Sequence, residues 1–119
     1  MKINNFFKNP FIIDNFSEKI PQKVRQYFKE SILSYNNQIP NAASIMCKKT
    51  IIEICTHEKA KGKYLIEKLK NIGIDKKIIN FLSKISDINT KNINSLPLAK
   101  MTVKKFIEFS YSIIEKIYL

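Results

Sequence analysis

The sequence predicts an all-α fold: one bundle of five helices with an arm before it. Apolar residues recur at helical spacing over five stretches, and no stretch alternates with the period of a strand. Only two Gly and four Pro interrupt 119 residues, and Trp is absent, a composition that favours helices joined by short loops. The length suits one domain with one core, and a 45% hydrophobic content is that of a globular chain. Residues 1–19 read as the arm and 20–119 as the bundle.

The arm shows no clean period. Phe6, Phe7, Phe11, Ile12, Ile13 and Phe16 are apolar and Pro10 breaks the run, so it reads either as packed on the bundle or as a hook for a partner. The first helix begins near Pro21, whose fixed φ suits the first helical position. Val24, Tyr27, Phe28, Ile32 and Tyr35 form its buried stripe. Ile39-Pro40-Asn41 opens the second helix, which runs to about His57. Ala42, Ala43, Met46, Cys47, Thr50, Ile51, Ile54 and Cys55 face inward there, while Ile45 and Ile52 add apolar surface on another side. A helix apolar on more than one face lies in the middle of a bundle or at a subunit interface.

After a turn at 59–62, Tyr64 to Asn71 form the third helix, with Gly73 placed to end it. Asp75 is placed to cap a fourth helix carrying Ile78, Ile79, Leu82 and Ile85. Ile88 to Ala99 is Asn-rich, contains Pro97, and reads as the longest loop. Thr102 is then placed to cap a last helix bearing Val103, Phe106, Ile107, Ser110, Ile114 and Ile117. Helices two and five are expected to be central. The expected core includes Met46, Ile51, Ile54, Leu69, Leu82, Phe106 and Ile114.

The formal charge of +11 points to an anionic partner. Arg25 is the sole arginine, however, and abundant Ile, Asn and Lys are also what AT-rich coding produces. Phosphate recognition favours the bidentate Arg fork. The charge is uneven: Lys59, Lys61, Lys63, Lys68, Lys70, Lys76 and Lys77 crowd one stretch against Glu67 and Asp75, with Tyr64 among them. That patch either follows a nucleic-acid backbone or is simply solvated. A protein partner is the preferred reading.

Cys47 and Cys55 lie eight residues apart on one helix, about 12 Å at 1.5 Å rise per residue, too far for a disulfide. Two Cys and one His cannot build a four-ligand zinc site. Free buried thiols in a reducing cytosol follow. No metal and no cofactor is expected. No apolar run reaches the length of a membrane span and residues 1–9 do not read as a signal peptide, so a cytoplasmic protein is expected.

Groups for chemistry are few. His57 ends the second helix beside Glu58; as a general base it needs an orienting acid and a nucleophile within reach, and otherwise it complements the helix dipole. Glu53 reads as the partner of Lys49 one turn earlier, or as a buried group holding the loop after the fourth helix. Gly-rich phosphate loops, paired carboxylates and Cys-based metal motifs are absent from the sequence.

The succession Ile20-Pro21, Tyr27-Phe28-Lys29-Glu30-Ser31, Asn41-Ala42-Ala43, Met46-Cys47-Lys48-Lys49-Thr50-Ile51-Ile52-Glu53-Ile54-Cys55, Lys61-Gly62, Leu65 and Lys68-Leu69 resembles a bacterial helical domain of unknown function in the HEPN-type superfamily of α-helical bundles. Members occur alone or fused to restriction-enzyme subunits and other anti-phage proteins. The family's paired arginines are Lys48 and Lys49 here. Its fourth helix usually ends in an Arg, then Gly-Asn, then a His; Ser86, Asn89-Thr90 and Asn94 stand at those positions. In active HEPN ribonucleases an Arg and a His, brought together across a dimer, support metal-independent RNA cleavage. Ser86 and Asn94, at the Arg and His positions, can neither stabilise a charged transition state nor shuttle a proton near neutral pH, and Thr90 is the third altered position of the motif. The resemblance therefore implies a non-catalytic, dimerising binding module linked to phage defence or counter-defence. The alternatives are a ribonuclease or toxin with displaced catalytic groups, and a small basic nucleic-acid binder.

Overall fold

The computed structural model describes residues 17–90 and 98–119. They form five helices: α1 Gln22–Asn36, α2 Pro40–His57, α3 Leu65–Asn71, α4 Lys76–Ser83 and α5 Lys100–Tyr118, with no strand among the described residues. The all-α expectation holds. The aromatic arm residues and Asn94 lie outside the described residues.

α2 is central because three of its sides are covered. It packs against α1, α5 and α3, while α5 also meets α1, and α3 meets α4. The N-terminal end of α5 lies beside the end of α1, with Lys100 Nζ 5.9 Å from the Tyr35 ring centroid. Its other end reaches the end of α2, where Tyr118 meets His57 edge-on at 5.7 Å. Between them Phe28 and Tyr111 stack at 5.8 Å. Ile51, Ile54, Leu69, Leu82, Phe106 and Ile114 are buried as expected. Met46 is only half-buried, because the inward stripe of α2 runs through Ala43, Ser44, Cys47, Lys48, Thr50, Ile51, Ile54 and Cys55.

Small polar residues let the three long helices approach closely. Ser31 on α1, Cys47 on α2 and Ser110 on α5 meet at one level, the two hydroxyls facing the thiol. Each hydroxyl also donates to its own helix, Ser31 Oγ to Phe28 O at 2.6 Å and Ser110 Oγ to Phe106 O at 2.7 Å, so neither is buried unsatisfied. Phe109 closes on Phe81 at 5.1 Å and Tyr111 is buried. Ile45 and Ile52, on the second apolar side of α2, are half-buried.

The first three helices end the same way. At α1, Gln38 N–H donates to Tyr35 O and Ile39 N–H to Ser34 O; at α2, Lys59 N–H to Thr56 O and Ala60 N–H to Cys55 O; at α3, Gly73 N–H to Lys70 O and Ile74 N–H to Leu69 O. Each is a Schellman motif, which needs a left-handed residue after the cap. Gln38 (φ 63°), Lys59 (φ 53°) and Gly73 (φ 83°) fill that place, so a glycine is used once in three. Helix starts follow the sequence less closely. Pro21 is the cap residue rather than the first helical one, Tyr64 precedes α3, and Ala99, not Thr102, precedes α5. Asp75 occupies the cap position of α4 without a side-chain capping bond.

Two stability predictions follow from this packing. Ile51→Ala lowers unfolding free energy by about 2–5 kcal/mol, since a fully buried side chain leaves a cavity, whereas Met46→Ala costs less than half as much. Urea denaturation of both variants checks the ranking. Lys59→Gly raises stability by about 0.5–1 kcal/mol by removing the left-handed penalty of a Cβ-bearing residue; a loss in the same assay contradicts it.

Candidate functional site

Of the residues singled out for function, Lys63, Lys68 and Thr90 come together where the C-terminal half of α2, the start of α3 and the turn after α4 meet. The organising group is Lys48. It lies on the buried face of α2, fully inaccessible, and its Nζ donates to the backbone carbonyls of Asp87 at 2.6 Å and Thr90 at 2.8 Å. Burial lowers the Lys48 pKa, and the Asp87 charge pulls it part of the way back. Asp87 turns its carbonyl toward this ammonium by adopting a left-handed conformation, φ 63°. The same carbonyl accepts Thr90 Oγ1–H at 2.9 Å.

Holding the 84–90 turn is the task that one reading of the sequence gives to Glu53. Lys48 performs it instead, and Glu53 is half-buried. The Lys49–Glu53 pair does not form among the described residues either; Lys49 Nζ lies 5.2 Å from the Tyr27 ring centroid on α1. Only helical position signals Lys48: it sits between Cys47 and Ile51 on the apolar stripe, where a lysine must find partners.

The turn in turn caps α3. The Tyr64 side chain makes no capping bond, and Asn89 Oδ1 accepts the Ile66 N–H at 3.0 Å. Lys63 N–H donates to Glu67 Oε1 at 2.8 Å, folding the segment before α3 back on its first turn. Gly62 is required there. Its φ is +139°, and a Cβ would stand 3.0 Å from Glu67 Cγ.

Between these elements lies a groove of about 230 Å³, lined by Ile52, Cys55, Lys63, Leu65, Lys68, Ile88, Asn89 and Thr90. Leu65, Ile88 and Cys55 are buried and form its floor. Of the seven patch lysines, Lys63 and Lys68 reach this groove; Lys59, Lys61, Lys70, Lys76 and Lys77 are exposed elsewhere on the surface. Lys68 is half-buried. Of the positions matching the HEPN catalytic motif, Ser86 is exposed and Thr90 lies on the groove rim.

A second cluster lies at the end of α2. His57 Nδ1 is 2.9 Å from Glu58 Oε2 and 3.3 Å from the Tyr118 hydroxyl. In the tautomer that donates Nδ1–H to Glu58, Nε2 is free to accept a proton, and Glu58 then stands where the orienting acid of a general base stands. Burial and the Glu58 carboxylate raise the Tyr118 pKa further above the ordinary tyrosine value. The thiols stay protonated: burial pushes Cys47 up to about 12 and Cys55 up to about 11, which makes both poor nucleophiles.

No group of three or more His, Cys, Asp or Glu able to hold a metal ion occurs among the described residues, and no described helix is long and apolar enough to cross a membrane. Comparison of the chain with family models, curated proteins and solved structures finds no match. The HEPN-like resemblance therefore rests on the residues quoted for it.

The Lys48 contact carries its own prediction. Lys48→Met keeps the volume and removes the ammonium, freeing the turn and with it the Asn89 cap. Exchange of the Ile66 amide with solvent accelerates at least tenfold, while amides in the middle of α1 and α5 keep their protection. Unchanged protection at Ile66 shows that Lys48 does not position the turn.

Proposed function

We propose that this chain is a non-catalytic HEPN-like helical module that docks a protein partner in phage defence or counter-defence. What supports this reading most is the use made of the 84–90 turn. Where the resembled ribonucleases place an Arg and approach their His, this chain has Ser86 and Thr90. The turn's carbonyls are instead bonded to Lys48, and its Asn89 caps a helix. The turn serves as a wall of the α3 groove. Self-association belongs to the same reading. Exposed Met101 at the start of α5 is the apolar side chain best placed to take part in it.

One observation favours the displaced-ribonuclease alternative: the His57–Glu58 pair, with Tyr118 against it. The two readings separate by incubating purified protein with mixed RNA in the presence of a chelator. The docking module leaves the RNA intact. Cleavage that disappears in His57→Ala and falls in Glu58→Gln establishes the ribonuclease.

Self-association is tested by light scattering. The expected mass at tens of micromolar is that of a dimer, shifting to the monomer in Met101→Glu, where a charge replaces the exposed apolar side chain. A monomeric mass for the unaltered chain removes the dimer.

A further inference from the structure

We propose that the groove between α2, α3 and the 84–90 turn anchors an acidic protein segment, seating one aliphatic side chain on Ile52, Leu65 and Ile88 while Lys63 and Lys68 hold carboxylates beside it. This inference rests on the docking reading and names the partner's chemistry.

Three features select that occupant. The first is size. At about 230 Å³ the groove falls below the roughly 300–1,000 Å³ of sites for drug-sized ligands; it accommodates a side chain or two. The second is the wall. The apolar lining is Ile52, Cys55, Leu65 and Ile88, with no aromatic ring among the lining residues. Single-stranded nucleic acid is held by stacking on aromatic faces and by arginine. Tyr64 is next in sequence, but Lys63 Nζ lies 5.4 Å from its ring centroid and the ring is not part of the lining. Arg25 lines a different hollow with Gln22, Gln26 and Lys29 on α1. An aliphatic floor suits Leu, Ile or Val.

The third feature is charge. Lys63 and Lys68 flank the groove, and five more lysines belong to the same stretch of chain. Of the two acids there, Glu67 is turned back onto the Lys63 amide. A lysine is a flexible point charge that suits a single carboxylate at the rim of an apolar contact. The groove wall is also preformed. Ile88 is buried, Asn89 is bonded to α3 and the turn is tied to Lys48, so little ordering entropy is lost on binding.

The test uses the full chain and three fluorescein-labelled probes: a seven-residue peptide with a central leucine between glutamates, the same peptide with serine for leucine, and an oligouridylate of similar charge. One buried leucine and two partly screened ion pairs support a Kd on the order of 10–100 μM at low salt. The expected result is binding of the leucine peptide, at least tenfold weaker binding of the serine peptide, and loss of binding in both K63E/K68E and I52E. Circular dichroism and the thermal midpoint confirm that each variant is folded. Equal affinity for the two peptides overturns the proposal, since charge alone then accounts for binding. Failure of the leucine peptide to bind also overturns it, and leaves the docking reading to stand on the RNA assay. Tighter binding of oligouridylate, lost in the same variants, overturns both and makes the groove a nucleic-acid site.

Discussion

The ammonium of Lys48 connects the two halves of this bundle. A lysine carried on the buried stripe of α2 cannot stay charged there without partners, because an unpaired charge in the interior costs several kcal/mol. Two backbone carbonyls, those of Asp87 and Thr90, meet it at 2.6 and 2.8 Å, and the Asp87 carboxylate adds opposite charge. The consequences run outward from that point. With the turn fixed, Ile88 is buried, Asn89 reaches Ile66 of α3, and Thr90 stands at the rim of the groove. The shape of the groove is thereby set by a residue outside its lining.

This explains how a short helix persists. α3 has seven residues, well below the length at which a helix holds in water by itself. Its support is tertiary. Asn89 satisfies an amide at its start, Gly62 lets the preceding chain lie against Glu67, and Leu65, Ile66 and Leu69 are buried. Its stability is tertiary, so the surface it presents is only as well defined as the turn that caps it.

Much of the fold was legible in the sequence because long amphipathic periods are a strong local signal. α1, α2 and α5 follow from their stripes, and Gly73 marks the end of α3 because glycine is the residue that favours a left-handed cap. Gln38 and Lys59 take the same conformation without a sequence signal, since the motif there is held by backbone hydrogen bonds that any residue provides. The site was harder to see. A lysine is ordinarily assigned to solvent, so the holding role fell on Glu53, whereas helical geometry places position 48 inward. Asn89 capping α3 joins residues 23 apart in sequence, and no local pattern encodes that.

The separation between Lys48 and its carbonyls also has a consequence for the growing chain. The bonds span 39 and 42 residues, whereas α1 and α2 adjoin and are able to pair as soon as both exist. An α1–α2 hairpin formed before residues 87–90 exist carries a lysine that still lacks the groups it pairs with. Until residues 87–90 emerge, water must solvate the ammonium, and that keeps this side of α2 wet. Burying that face against a wrong neighbour before then costs the desolvation of an unpaired ammonium, which disfavours such a misassembly.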